Sequence, residues 1–483
     1  MVGIFTVTSF LGYFTGGYQL FGIFDYGFTL VDLSVLIIYI TLAKRIIWDG
    51  EELKLGYHPA VVFFGLIVFF ALMSGFTPLV EGNSREMIQY FKTTSHFLFV
   101  VGIVLVFMLY PIKSEYWYRI VQLWLIISIF INLFGVYQIF ARIYDLPLAW
   151  LKYTNISIVS RYEGINLDDV DQLSLRFGDF YRATSIFSEP SALSAWNVFI
   201  MIFLIIPYIQ KKKSFIESKL INGIIFVSSL ASLFLTFSMT GLYTFSMIIL
   251  AVFLIERNIN RLKVLVWIGI GAVFLVLVDE LTADYFNLSV MELFYTRVSS
   301  IFRYIGGEEN FIAGESFSTR VGNGIRSIRM WLDNPILGSG MGLTAYHDHI
   351  NLGFSDFGML HAFIETGMFG GFAFLLFLAA VLYRSAKYIR YPEYFKDFDQ
   401  KTQSLLGIAF YNAFVLTLIN TATGNSFVGF ALWLHMAMVI SIINIERLKN
   451  GHYNYAIRLV KTPLKESFIK YTTVYMTRSN YYK

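Results

Sequence analysis

Cysteine is absent from the 483 residues, which removes disulfide frameworks, thiol nucleophiles and cysteine-ligated metals from consideration. Charge is scarce as well: 14% of the residues are Asp, Glu, Lys or Arg against 56% hydrophobic, a balance far too apolar for a soluble domain. The ten-residue alternation of a membrane β-barrel is also missing, because the stretches 198–209, 220–255 and 264–278 run uncharged without a break. No dense basic stripe with interleaved aromatics occurs, which disfavours nucleic acid as a partner. Residues 1–24 have neither a basic leading region nor a small-residue cleavage site, so we expect a retained first helix there rather than a signal peptide. What remains is an all-α polytopic membrane protein. The formal net charge of +4 adds little.

Apolar runs read against breakers and charges predict about twelve transmembrane helices, near 4–24, 28–47, 59–80, 88–109, 118–140, 190–209, 219–238, 240–255, 264–281, 359–382, 404–421 and 425–444. With the N-terminus in the cytoplasm, the cytoplasmic segments hold 25 of the 37 basic residues, among them Lys211, Lys212, Lys213 and the segment after Arg447. The positive-inside rule therefore puts both termini in the cytoplasm. The chain then divides into N-terminal helices over 1–142, an extracytoplasmic loop over 143–189, helices over 190–281, a large extracytoplasmic catalytic loop over 282–358, helices over 359–444 and a basic cytoplasmic tail over 445–483.

The two faces differ in kind of cation. The inner set is 16 Lys and 9 Arg, whereas the outer set is 10 Arg and 2 Lys. A guanidinium fork binds phosphate oxygens two at a time and stays protonated, so the skew suggests a phosphorylated or pyrophosphorylated ligand met outside, although snorkelling at the interface gives the same bias. The outer segments also carry 20 acidic residues and a net charge of −8, which speaks against a groove for a polyanion.

Three constellations carry chemistry. Arg182 to Ser191 ends where the sixth span begins: Pro190 suits the first helical turn, Ser188 is a candidate cap, and the orphan amides beside Glu189 favour an anion that Arg182 would help to hold. Residues 319–342 fit a short interfacial helix with Val321, Ile325, Ile328 and Leu332 on one stripe, Arg320 beside Trp331 on one flank, and Arg326 and Arg329 on the other. That helix stops at Asn334-Pro335 and is followed by Gly338, Gly340 and Gly342, which allow close backbone approach without the lysine of a nucleotide-binding loop. The third group is His347, Asp348, His349, Asp356 and Glu365. No HExxH pattern or cysteine supports a metal there, and we expect no metal and no cofactor. General-base chemistry by His347, His349 or Asp356 is the stronger reading. Asp32, Arg85, Lys92 and His96, in or near apolar spans, form a second rank of candidates, while His361 and His435 suit bonds between helices.

The order Arg320, Pro335, Gly338-Ser-Gly340 and Glu365-Thr-Gly367 with Gly370 resembles the O-antigen polymerase and O-antigen ligase superfamily, whose pattern is an Arg, a P-x-x-G-x-G turn and an E-x-G-x-x-G element. Arg182 to Pro190 is similar to that family's arginine and proline element. Two features depart from the ligase pattern. No arginine follows Ser238 between the seventh and eighth spans, and Asp356-Phe357 stands where ligases place His-Asn. The resemblance implies a GT-C-like membrane glycosyltransferase of the bacterial inner membrane, with its active site on the extracytoplasmic face. Such an enzyme would join polyprenyl-diphosphate-linked oligosaccharide repeat units, as donor and acceptor, into O-antigen or capsule polysaccharide by metal-independent, inverting transfer. Arg182, Arg320, Arg326, Arg329, Glu189 and Glu365 would bind substrate, and His349, Asp356 or His347 would serve as base. Membrane lipid and a chain-length regulator protein are the partners implied. A ligase acting on lipid A-core, and a transporter or flippase of lipid-linked sugars, are the other readings. A transporter predicts internally repeated halves, which the sequence does not show.

Overall fold

A computed structural model describes the chain except for residues 1–18, 24–25, 51–52, 56–58, 83, 110–111, 152–171, 173–175, 178–179, 188, 257–260, 287–288, 290, 293–294, 296–298, 300–314, 344–357, 423–426, 428–429, 450–454, 463–469 and 479–483. A hairpin of β1 (Gln19–Ile23) and β2 (Tyr26–Thr29) leads into α1 (Leu30–Ile47). After β3 (Leu53–Leu55) come α2 (Pro59–Met73), α3 (Phe76–Glu81), α4 (Ser84–Leu109) and α5 (Ser114–Ile143). A two-residue pair, β4 (Arg176–Phe177) and β5 (Phe180–Tyr181), precedes α6 (Pro190–Ile209), α7 (Lys219–Leu235), α8 (Met239–Ile255) and α9 (Arg261–Phe286). Then follow α10 (Glu315–Asp333), α11 (Gly358–Arg390), α12 (Gln400–Ala422), α13 (Phe430–Lys449), β6 (Tyr455–Thr462) and β7 (Lys470–Arg478). A helix lies over each expected span from 28–47 onward; of the expected first span, 4–24, residues 1–18 and 24 fall outside the described residues, and 19–23 form strand β1 rather than helix, because they pair with β2 across a short turn.

Among the described residues, six helical segments are long and apolar enough to cross a membrane, and three shorter helices are apolar as well. Lipid offers no partner to backbone N–H and C=O groups, so such sequences form continuous helices, which satisfy those groups internally. The outward faces agree with this: Ile40, Phe69, Phe130, Leu254 and Val273 stay exposed, as side chains turned toward hydrocarbon do. Several helices outrun their apolar runs. α5 begins at Ser114 and α11 reaches Arg390, because polar residues extend the hydrogen-bond ladder beyond the apolar core.

The interior is aromatic. Trp124 packs against Trp196, Phe203 and the ring of His435, which also stacks on Phe199 at 4.5 Å. Trp433 lies against Phe64, Phe97, Phe374 and Phe377, joining α13 to α2, α4 and α11. Trp117 donates to Ser441 Oγ at 2.8 Å, so its polar edge is satisfied where the ring is buried.

Two features differ from expectation. The run 59–80 is not one helix, because α2 stops at Met73. Tyr90 donates its hydroxyl to the Ala71 and Leu72 carbonyls at 3.1 and 2.8 Å, and its ring fills the space beside Gly75. The segment 445–483 is more than a tail, since β6 and β7 form an antiparallel hairpin and β6 pairs with β3. That sheet caps the end at which α1 and α13 finish. We call the opposite end, where α4, α6 and α11 begin and α5 and α7 finish, the upper end.

Candidate active site

α11 is broken near its start. Gly367 has φ 70° and ψ −176°, a backbone conformation that only glycine adopts without strain, so the helical ladder is interrupted after Thr366. The interruption exposes peptide groups, and the turn after α10 takes them up. Ser339 N–H donates to the Ile364 carbonyl at 2.7 Å, Gly340 N–H to that of Glu365 at 3.2 Å, and Met368 N–H to that of Pro335 at 2.8 Å. The two sequence motifs, Pro335-x-x-Gly338-x-Gly340 and Glu365-x-Gly367, are therefore one structural unit. A Cβ on Gly338 would lie 2.6 Å from the Glu365 carbonyl oxygen, and one on Gly367 would overlap the Ile336 carbonyl, so neither position has room for a side chain.

Neighbouring elements tie this unit down. Thr77 of α3 donates to the Gly338 carbonyl at 2.6 Å, Gly342 lies against Thr93 of α4, and Trp331 of α10 donates to the Pro335 carbonyl at 3.2 Å. Glu365 is buried beside the turn, with 3% of its surface exposed. α10 rests on α11, with Gly324 and Ser327 buried and Trp331 in ring contact with Phe363. Ile325, Ile328 and Leu332 face outward together with Arg326 and Arg329, the arrangement of a helix lying in a membrane interface. Arg320 lies in the first half of the same helix.

A second cluster gathers around Arg142, at the end of α5. Its buried guanidinium donates to the Ala149 carbonyl (2.9 Å), the Arg182 carbonyl (2.7 Å), Gln172 Oε1 (2.8 Å) and Thr184 Oγ1 (2.5 Å), and it stacks over Trp150 at 4.3 Å. Gln172 in turn donates to the Ser185 and Phe187 carbonyls and accepts from Gln138. Together they hold the segment 182–187 in the shape that delivers the chain to α6. α6 starts with Glu189 as its N-cap residue and Pro190 at the first position. The cap position is therefore Glu189 and not Ser188, which lies outside the described residues, and the Glu189 side chain makes no capping bond to these amides.

Arg182 reaches from this segment to the α7–α8 connection, donating Nε to the Thr236 carbonyl at 2.7 Å and Nη2 to that of Phe237 at 3.4 Å. That connection is where the ligase pattern carries an arginine of its own. In this chain the guanidinium of Arg182 lies against that connection.

The expected base candidates His347, His349 and Asp356 lie outside the described residues. Among the described residues no group of three or more His, Asp or Glu is placed to hold a metal ion. His361 and His435 are buried in the helix bundle. Sequence reasoning passed over Arg142 and Gln172, and it ranked Asp32 and His96 low. The structure brings that last pair together, with Asp32 Oδ1 3.1 Å from His96 Nε2. One signal was available. Glu86, Gln89, Thr93 and His96 repeat at helical spacing and draw a polar stripe down α4.

Among curated proteins none matches the chain. A family model described as WcaD colanic acid polymerase matches residues 25–307, more than half of the sequence, and its span takes in α1 to α9 with Asp32, His96, Arg142 and Arg182. The match favours a polymerase over a ligase or a transporter. This multi-pass membrane chain belongs to the WcaD colanic acid polymerase family.

Proposed function

We propose that the protein lengthens a surface polysaccharide by joining oligosaccharide repeat units carried on a polyprenyl diphosphate, and that it does so at the upper end of the bundle, on the extracytoplasmic face of the bacterial inner membrane. The family match over residues 25–307 is the observation that carries this reading. A lipid-linked donor is the chemically sensible one outside the cell, where nucleotide sugars are absent. As the bond from the anomeric carbon to the diphosphate breaks, negative charge grows on the leaving oxygens. Arginines fixed in advance stabilise that charge without a metal. Arg320, Arg326 and Arg329 on α10 and Arg182 beside α6 are the groups we assign to the diphosphate. Glu189, at the α6 terminus, and Glu365, behind the turn, line the same end. A base takes the proton of the acceptor hydroxyl, with inversion at the anomeric carbon, and about twelve spans in a GT-C-like arrangement carry the site. A chain-length regulator protein is the partner that such a polymerase would take.

The test uses purified full-length protein in lipid nanodiscs. Lipid-diphosphate repeat units extracted from a host strain lacking the protein are given as both donor and acceptor. Products longer by whole repeat units are expected. Extension only after lipid A-core is added would overturn the reading in favour of a ligase. The face is checked separately by reporter fusions at Lys212 and Gly307, which should report opposite sides of the membrane.

A further inference from the structure

An ionisable pair within membrane helices is costly to keep and needs a reason. Asp32 lies in the first turn of α1 with its side chain 5% exposed. Part of its role is local: Oδ2 accepts from the N–H and the hydroxyl of Thr29, both at 2.8 Å, completing a capping box. That box engages only Oδ2. Oδ1 points across to α4 and meets His96 Nε2 at 3.1 Å, a contact that helix capping does not require. The box holds the carboxylate in one rotamer, so it orients the imidazole in turn.

The imidazole is not sealed away, since 30% of the His96 side chain is exposed. It also lies one helical turn from the site. Thr93, three residues earlier on α4 and about 4.5 Å along the axis, is the residue against which Gly342 of the turn packs. Gln89 donates to Thr93 Oγ1 at 3.1 Å within the polar stripe that runs at helical spacing from Glu86 to His96.

Resting on the polymerase reading above, we propose that His96 is the base that takes the proton of the acceptor hydroxyl and that Asp32 is its positioning residue. Asp32 accepts from Nε2–H, which leaves Nδ1 as the nitrogen with a lone pair. The acceptor oxygen bonds to the anomeric carbon of the donor as its proton passes to Nδ1. The bond from that carbon to the diphosphate breaks, and its electron pair leaves with the lipid diphosphate. The imidazolium, held by the Asp32 carboxylate, then returns its proton to water.

The elongation assay in nanodiscs, with the same extracted lipid-diphosphate repeat units, decides the matter. His96→Gln keeps an N–H for Asp32 and cannot take a proton, so a purely structural bond survives this change and a base does not. We expect kcat to fall on the order of a hundredfold or more with KM within about threefold. Asp32→Asn should fall in the same direction, and the double variant no further than His96→Gln, because the two act as a unit. Melting and size-exclusion profiles establish folding. A folded His96→Gln protein keeping more than about a third of wild-type kcat overturns the pairing, as does one that stays active while His349→Ala or Asp356→Ala is dead. If His96→Gln does not fold, Asp32→Asn decides, and an undiminished kcat in that protein overturns the proposal. Wild-type protein that lengthens no chain overturns the polymerase reading, and the base role with it, whereas an active wild type beside an equally active His96→Gln overturns the base role alone.

Discussion

Replacing Gly367 by alanine tests whether the turn after α10 and the broken start of α11 are one unit. At φ 70° and ψ −176° an L-residue sits in a region that is essentially glycine-only, at a cost of about 1 to 3 kcal/mol. The added Cβ would overlap the Ile336 carbonyl group and come within 2.8 Å of Leu337 N, and backbone atoms cannot swing aside as a flexible side chain can. The turn must therefore lift, and three bonds go with it: Ser339 N–H to Ile364, Gly340 N–H to Glu365 and Met368 N–H to Pro335. At about 0.5 to 1.5 kcal/mol each, these bring the total to roughly 2.5 to 7.5 kcal/mol, a large part of a typical folding free energy.

Tryptophan fluorescence on the detergent-solubilised protein reads this directly, because Trp331 both donates to the Pro335 carbonyl and packs on Phe363. We expect an apparent midpoint lower by about 3 to 7 °C and faster protease cleavage within 334–343. Gly223→Ala is the control, since a methyl group added at that α7 glycine would meet nothing within 4 Å and should leave the midpoint unchanged or slightly raised. A Gly367→Ala protein that melts with the wild type and resists protease equally would refute the coupling of the two motifs.

Arg142→Lys should cost about 2 to 4 kcal/mol, because one ammonium cannot span acceptors from Ala149, Gln172, Arg182 and Thr184, and cleavage of the 143–189 segment should accelerate; an unchanged rate would show that the hub does not hold that segment. Lys212 donates to the Gln403 carbonyl at 3.0 Å, and burial pushes its pKa down to about 8, with Glu256 pulling partly the other way. Its folded pKa lies below the unfolded one, so between about pH 8 and 10.5 the unfolded chain binds more protons and stability rises with pH. The wild-type midpoint should thus gain on that of Lys212→Met from pH 8 to 10, and parallel curves would count against a buried ammonium. Arg320→Ala should slow polymer extension by roughly a hundredfold, about 2 to 4 kcal/mol in the transition state, with lysine a poor substitute. Near-normal output from well-folded Arg320→Ala at limiting enzyme would remove it from the diphosphate site.

Much of the fold was legible because long uncharged runs leave the backbone no alternative to helix in lipid. α10 was legible for a different reason: Ile325, Ile328 and Leu332 recur at helical spacing, and in the structure they face outward, as an interfacial helix requires. The stop of α2 at Met73 was legible only in part: Ser74-Gly75 and Pro78 follow the run at once, but the Tyr90 ring that fills the space beside Gly75 comes from the next helix but one. The pairing of β3 with β6, which joins residues about 400 positions apart through backbone groups, was not legible.

The site divides along the same line. The spacing of Pro335, Gly338 and Gly340 announced a turn, and Glu365-x-Gly367 announced a helix opening, yet only their packing shows why both are needed. A helix broken at Gly367 leaves carbonyls that lipid cannot satisfy, and a turn rich in glycine is the one partner whose N–H groups can approach them closely enough. The break therefore fixes the turn, and the turn carries Gly342 onto Thr93 of α4, one helical turn from His96. The turn that follows α10 is thereby seated on the polar stripe of α4. In a membrane, where each unpaired peptide group costs several kcal/mol, such backbone bonds position a site more firmly than surface charge pairs would.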